Sequence, residues 1–368
     1  MIRTVRIQNF KSLRDVSIDM ERFTVFVGAN GSGKTSVLEA IHDAVRVVSG
    51  TSVEQVFAPD RHPDWLYTRG GTGDISIQLE TEEGEIGLEF TPPVEYPPPP
   101  EMMQRRSWQC RISPSGVHNP RLRELLGTAG SIVFLRFSAA LLARPAYSSV
   151  DPPQVEYNGE GLASVLAYMA LSDPVGLEEL TAVARELIPR LRRIRFRREP
   201  VHLTEQGMKQ FGGPAVDRQG NPIFRGELIL LDFDHAENVS ARSASEGTML
   251  ILGLITVLCG PTRPRTLLID DIEHGLHPLA QKQLVEVIGK MLEKFPDLQI
   301  LATSHSPFLL DFLNPEQVRI MATGPDGYSL CGRLTDHPKF PTWKEEMAPG
   351  EMWSLFGEKW LAEKAVSS

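Results

Sequence analysis

The sequence predicts an α/β fold, a mixed sheet flanked by helices with a phosphate-binding loop at its edge, and three stretches predict it. The first is Gly28-Ala29-Asn30-Gly31-Ser32-Gly33-Lys34-Thr35, whose spacing is glycine, four residues, glycine, lysine, and serine or threonine. It lies between an apolar run at 23–27 and a helical stripe of Val37, Leu38, Ile41, Val45 and Val48. Strand, glycine-rich turn and helix start are what phosphate binding needs. Glycines let backbone N–H groups close on the phosphates, the helix N-terminus adds partial positive charge, Lys34 reaches the β- and γ-phosphates, and Thr35 can hold Mg²⁺. The second stretch, Thr266-Leu267-Leu268-Ile269-Asp270-Asp271, is a buried-strand pattern ending in two carboxylates. Such a strand is apolar on both faces because it lies inside a parallel sheet, and its acids emerge at the carboxyl edge, where ligands bind. The third is an apolar strand at 298–303 followed at once by Ser304-His305-Ser306-Pro307, which brings His305 to the same edge as a γ-phosphate contact.

Composition narrows the class. The chain has 368 residues, 41% of them hydrophobic, enough for one large domain or two to three modules. A net charge of −9 argues against a generally basic nucleic-acid binder, so any such contact requires a local patch. Cys110, Cys259 and Cys331 show neither metal-ligand nor redox spacing, and the start, Met1-Ile2-Arg3-Thr4, has no signal-like apolar region. A reduced, cytoplasmic setting is the expectation. The longest apolar run, 249–259, falls short of the roughly 20 residues of a membrane span and reads as a buried helix, so no membrane partner is expected.

In chain order, residues 1–27 read as two strands, around 4–7 and 23–27, separated by a polar turn at Lys11-Ser12-Leu13-Arg14. Period-two alternation at 74–79 and 85–90 predicts a hairpin turning at Glu83-Gly84. The proline-rich stretch 91–100 then predicts an extended boundary loop. A strand at 131–137 and helices at 162–171 and 177–188 follow, the last stopped by Pro189, and no heptad repeat runs through them. In Arg190-Leu191-Arg192-Arg193-Ile194-Arg195-Phe196-Arg197-Arg198 the alternation predicts a strand with one strongly basic face, either solvated or tracking phosphates. Residues 227–233 read as another apolar strand, 241–260 as a turn and apolar helix. Leu284, Val287, Ile288, Met291, Leu292 and Phe295 form a helical stripe that Pro296 ends. Trp343, Met352, Trp353, Phe356 and Trp360 concentrate aromatic area in a tail at helical spacing, either packed on the chain's own core or left for a partner.

The order of these motifs resembles the ATP-binding-cassette ATPases of the SMC, Rad50 and RecF type. It is most similar to the compact ATPases like the head of the OLD (overcoming lysogenisation defect) family, of AAA_21 type. Asn9-Phe10-Lys11-Ser12-Leu13 looks like the family's first strand and turn, and 28–35 like its Walker A loop. Ala244-Ser245-Glu246-Gly247-Thr248 stands where the signature would, 270–278 resembles the Walker B and D-loop run, and 303–307 the switch-histidine segment. The resemblance implies ATP and Mg²⁺ as cofactors. It places the nucleotide on Asn30, Gly31, Ser32, Gly33, Lys34, Thr35, Ser36 and Lys11, and Mg²⁺ on Thr35 and Asp270. Lys34, Asp271 and His305 become the catalytic residues, and Ser245 and Gly247 the γ-phosphate donors for a second copy across an ATP-sandwiched homodimer. The chain departs from the pattern at Ala244 and Thr248, and at Asp271, where Glu is usual and where a shorter carboxylate implies slow turnover. It also lacks the coiled coil of SMC and Rad50 proteins.

The expected organisation is an ATPase core from 1–95 and 225–325, an inserted α+β lobe at 96–224 that includes the basic strand, and the aromatic tail at 326–368. The expected function is an ATP-binding and ATP-hydrolysing switch that controls a separately encoded effector in anti-phage defence. The alternatives are a RecF-like DNA-repair or DNA-binding ATPase using the 190–198 arginines, and a metal-dependent nuclease built on Asp232-Phe233-Asp234.

Overall fold

The computed structural model describes residues 1–56, 66–68, 70–71, 73–91, 108–113, 119–127, 131–201, 215–216 and 222–367. The proline-rich residues 92–100 lie outside them. β1 (Ile2–Phe10) turns at Lys11-Ser12 into β2 (Leu13–Asp19), with Phe10 opposite Leu13. The second strand corrects the sequence reading, which placed only a polar turn there. The turn has no Gly or Asn to announce it, Lys11 takes a left-handed φ of 52°, and Leu13, Val16 and Ile18 are buried at uneven spacing. β3 (Phe23–Gly28) is buried at every position, and α1 (Lys34–Val48) buries Val37, Leu38, Ile41 and Val45 together with Ala40 and Ala44. β4 (Ile75–Thr81) and β5 (Gly84–Thr91) form the expected hairpin, followed by β6 (Gln109–Ile112) and β7 (Ile132–Leu135).

Then come α2 (Leu162–Ser172), α3 (Pro174–Leu187), the basic strand β8 (Leu191–Val201), β9 (Ala215–Val216), β10 (Pro222–Phe233), β11 (Ala236–Ser240) and α4 (Glu246–Cys259). The chain continues with β12 (Thr266–Ile269), α5 (Pro278–Lys294), β13 (Gln299–Ser304), α6 (Pro307–Leu310), β14 (Val318–Thr323), β15 (Ser329–Arg333), α7 (Pro349–Phe356) and α8 (Lys359–Ser367). Among the described residues the longest helix is α5, with 17 residues.

Two compact units result. The first comprises 1–134, 265–274 and 292–368. Its antiparallel sheet runs β2-β1-β4-β5-β6, and a second sheet runs β15-β14-β3-β13-β12-β7, with β14, β3, β13 and β12 mutually parallel. The buried faces of α1, the antiparallel sheet and the parallel strands meet in one core containing Ile7, Leu38, Ile41, Leu79, Leu268 and Leu301. Each such side chain contributes about 1.5–3 kcal/mol relative to remaining exposed. The parallel register sets Ser304 beside Val27 and Ile269 beside Ala302, so Gly28, Asp270 and His305 leave the sheet at one edge.

The tail belongs to this unit and packs on it. Met352 and Trp360 are buried, and a Cβ on Gly332 of β15 would come within 2.6 Å of Leu361 and 3.0 Å of Trp360. Phe356 meets Trp343 edge-on at 4.4 Å between ring centroids. The helical spacing is broken in one place: Gly357, at φ 58°, separates α7 from α8.

The second unit comprises 135–264 and 275–291. Its sheet runs β11-β10-β8, with β9 pairing β10, and the apolar α4 is buried at Met249 and from Ile251 to Leu258.

Candidate nucleotide site

The three glycines of the 28–35 loop are required for different reasons. At Gly28 (φ 152°) a Cβ would lie 2.0 Å from the Met321 carbonyl oxygen, so β3 passes against β14 only without a side chain. At Gly33 (φ 97°) a Cβ would lie 2.4 Å from the Ser329 hydroxyl, which is itself 2.7 Å from that of Ser12. Gly31 (φ 79°) has open space around it, and its requirement is conformational. Asn30 and Gly31 are exposed at the crest of the loop, Ser36 is half-buried in the first turn of α1, and Ser32 is fully buried. Among the described residues the Ser32 hydroxyl has no hydrogen-bond partner. A buried orphan of this kind costs about 1–3 kcal/mol unless a ligand satisfies it.

Lys34 is 5% exposed, and its ammonium donates to the carbonyls of Gly28 (3.0 Å) and Ala29 (2.9 Å). Burial holds its pKa below the ordinary lysine value, against the carboxylates of Asp271, Asp270 and Glu273, which pull it back up. One buried cation thus faces these three acids and, more weakly, Glu358, a balance that an anionic ligand would alter.

Hydroxyls tie down the two strand-end acids, Asp270 through its carboxylate and Asp271 through its backbone. Asp270 Oδ1 accepts from Thr35 Oγ1 at 2.8 Å and from Thr303 Oγ1 at 2.8 Å, and Thr303 Oγ1 in turn accepts from the Asp271 N–H at 2.8 Å. Asp271 stands in the left-handed region at φ 54°, a strained position for a residue other than glycine. Its Oδ1 lies 3.7 Å from His305 Nε2. The structure therefore brings together Lys34, Thr35, Asp270, Asp271 and His305. The Thr35 and Asp270 oxygens fit a divalent cation, since adjacent ligands of an octahedral Mg²⁺ sit about 2.9 Å apart.

Other predicted residues stand elsewhere. The Lys11 ammonium is paired with Glu39, one turn beyond Thr35 on α1. Ser245 and Gly247 belong to the second unit, at the start of α4. There Ser245 is exposed, and its hydroxyl caps the helix by accepting from the Thr248 N–H at 3.2 Å. Thr303, with its hydroxyl bonded to both strand-end acids, has no counterpart in the sequence reading. A strand-ending threonine signals β propensity, and nothing in its spacing reveals where the hydroxyl goes.

The D-x-D pair is committed to a turn. Asp232 accepts from the Asn238 N–H at 2.8 Å and pairs with Arg195 at 3.1 Å, and Asp234 pairs with Arg192 at 2.9 Å. These bonds also neutralise part of the basic face of β8, as does Glu199 with Arg197, although Glu199 is shared with Arg242. Among the described residues no group of three or more His, Cys, Asp or Glu could hold a metal ion.

Residues 23–311 match the sequence profile of a family described as "AAA domain, putative AbiEii toxin, Type IV TA system". Among solved structures, the chain is similar to an SMC head bound to the C-winged helix domain of ScpA. The TM-score is 0.56 at 15% identity, over 92% of this chain and 99% of that one. It is also similar to a Smc head domain with an extended coiled coil bound to the C-terminal domain of ScpA derived from Pyrococcus furiosus. That comparison has a TM-score of 0.54 at 14% identity, over 94% of this chain and 99% of the other. Among curated proteins, none matches.

Proposed function

The chain belongs to this AAA domain family, with the P-loop fold of an SMC head, and from that premise we propose an ATP-driven switch that assembles as a dimer around nucleotide and controls a separate effector. The observation that carries the reading is the hydroxyl–carboxylate chain Thr35–Asp270–Thr303–Asp271, which ties the loop's helix to both strand-end acids. Lys34 and the loop N–H groups bind the β- and γ-phosphates. Thr35 and Asp270 would hold Mg²⁺, which neutralises developing phosphate charge when bound. Asp271 orients the attacking water and takes its proton as oxygen bonds to the γ-phosphorus, the bond to the β–γ bridging oxygen breaks, and ADP leaves. His305 stabilises the transferred group. The short Asp271 reaches that water less well than a glutamate would, so turnover is slow.

Ser245, at the exposed end of α4, completes the γ-phosphate site of a second copy, giving two composite sites by two-fold symmetry. The family's toxin–antitoxin description supports a defence role with a separately encoded effector, and the ScpA domain on the similar SMC heads supports docking of a partner. Sedimentation of Asp271→Asn with and without ATP tests the assembly. A dimer should form only with ATP, and Ser245→Arg should abolish it. A wild-type monomer that hydrolyses at full rate would exclude the composite site.

A further inference from the structure

The acid two residues beyond Asp271 is also built into the site. Glu273 Oε1 accepts from the His305 N–H at 2.6 Å, a short charge-assisted bond reaching from the segment after β12 to the segment after β13. Its other oxygen, Oε2, is buried and has no hydrogen-bond partner among the described residues, and the Glu273 charge is felt at Lys34. The sheet pairing of these two strands ends at Ile269 opposite Ala302. Beyond that point the segments are joined by Thr303, through Asp270, the Asp271 N–H and its own carbonyl to the Ile272 N–H (3.1 Å), and then by Glu273. Thr303 and Glu273 act on different things: the hydroxyl fixes the acids, and the Glu273 carboxylate fixes the backbone from which the His305 ring reaches Asp271.

We propose that Glu273 is a positioning residue, which holds the His305 backbone so that the imidazole faces Asp271 and the γ-phosphate side of the site. It touches no reacting atom and works through His305. A carboxylate with one oxygen on a backbone N–H and the other buried without a partner is costly to keep, and a surface role would not demand it. The inference rests on the ATPase reading of the site, but its first test does not.

Hydrogen–deuterium exchange of the full-length protein, read at the His305 amide, should accelerate at least tenfold in Glu273→Ala. In Glu273→Gln, whose side-chain carbonyl can accept the same bond, it should stay within threefold of wild type. Unchanged exchange in Glu273→Ala overturns the proposal whether or not the chain hydrolyses ATP. In steady-state ATPase assays, Glu273→Ala should lower kcat about tenfold with KM for ATP within twofold, and Glu273→Gln should restore most of kcat. Glu273→Ala added to His305→Ala should cost no more than His305→Ala alone. A Gln variant as slow as Ala, or additive losses in the double variant, would also overturn it. Equal turnover by His305→Ala and wild type would instead remove His305 from the reaction, leaving the exchange result standing.

Discussion

Helix α1 starts at Gly33, in a left-handed conformation with no side chain capping it, whereas α4 starts at Ser245, whose hydroxyl already accepts from the Thr248 N–H. Both are helix N-termini and so carry partial positive charge. At the first, glycines and a 5%-exposed lysine surround an uncapped turn, and a phosphate would displace nothing. At the second, the cap is satisfied internally, and Glu246 in the first turn already complements the dipole. An anion meeting α4 alone must compete with both. Under the proposed function the difference divides the labour: affinity would reside in the uncapped loop, and α4 would contribute only when a nucleotide is presented to it by something else.

The strongest way to break this division is to remove the cation from one end and obstruct the other. Lys34→Ala should lower ATP affinity on the order of 100-fold, the loss of a charge-assisted bond worth roughly 1.5–3 kcal/mol compounded by burial. Ser245→Arg should leave it within about threefold. Equilibrium titration with a fluorescent ATP analogue at low protein concentration reads both, and equal losses would mean that α4 is part of the primary site.

A smaller effect separates binding from chemistry within the loop's own edge of the sheet. Asp271→Asn keeps Thr35 on Asp270 and keeps the backbone bond to Thr303, so affinity should hold within about threefold. Single-turnover hydrolysis should slow by about 100-fold, the lower end of what a positioned general base supplies. A parallel loss of affinity would merge the roles of the two acids.

The loop was legible in the sequence because its chemistry demands fixed residue types at fixed spacing, and the buried strands were legible because each is apolar at successive positions. Strand β2 was not, since its turn relies on Lys11 in a left-handed conformation where Asn or Gly would have signalled a hairpin. Thr303 and Glu273 were illegible as site residues for another reason. Their roles are bonds across the sheet edge, set by the parallel pairing of β12 with β13, and one-dimensional spacing does not encode which chain segment lies opposite. In the tail, aromatic spacing at Met352, Trp353, Phe356 and Trp360 announced helix, but only the structure separates the residues that pack on the chain's own core, Met352, Trp360 and Leu361, from Trp353 and Phe356, which stay half-buried.

The least visible consequence of the comparison is its pH dependence, because only the α1 end carries a lysine. Burial holds the Lys34 pKa below its value of 10.5 in the unfolded chain, with Asp271, Asp270 and Glu273 opposing. Below 10.5, therefore, the unfolded chain binds more protons at this residue than the folded one, and stability without nucleotide should rise with pH across that window. ATP affinity should move the other way, since the phosphates require the ammonium. Ser245 and Gly247 lose no proton there, so the α4 end adds nothing to either slope. Denaturant unfolding of wild type and Lys34→Met from about pH 7.5 to pH 10 isolates the first trend: the stability difference, wild type minus variant, should increase towards alkaline pH. ATP titrations over the same range isolate the second. Wild-type affinity should fall, while Lys34→Arg, weaker at neutral pH because its guanidinium is bulkier, should stay flat because arginine keeps its proton. Identical slopes for wild type and Lys34→Arg would show that the alkaline decline arises outside the loop.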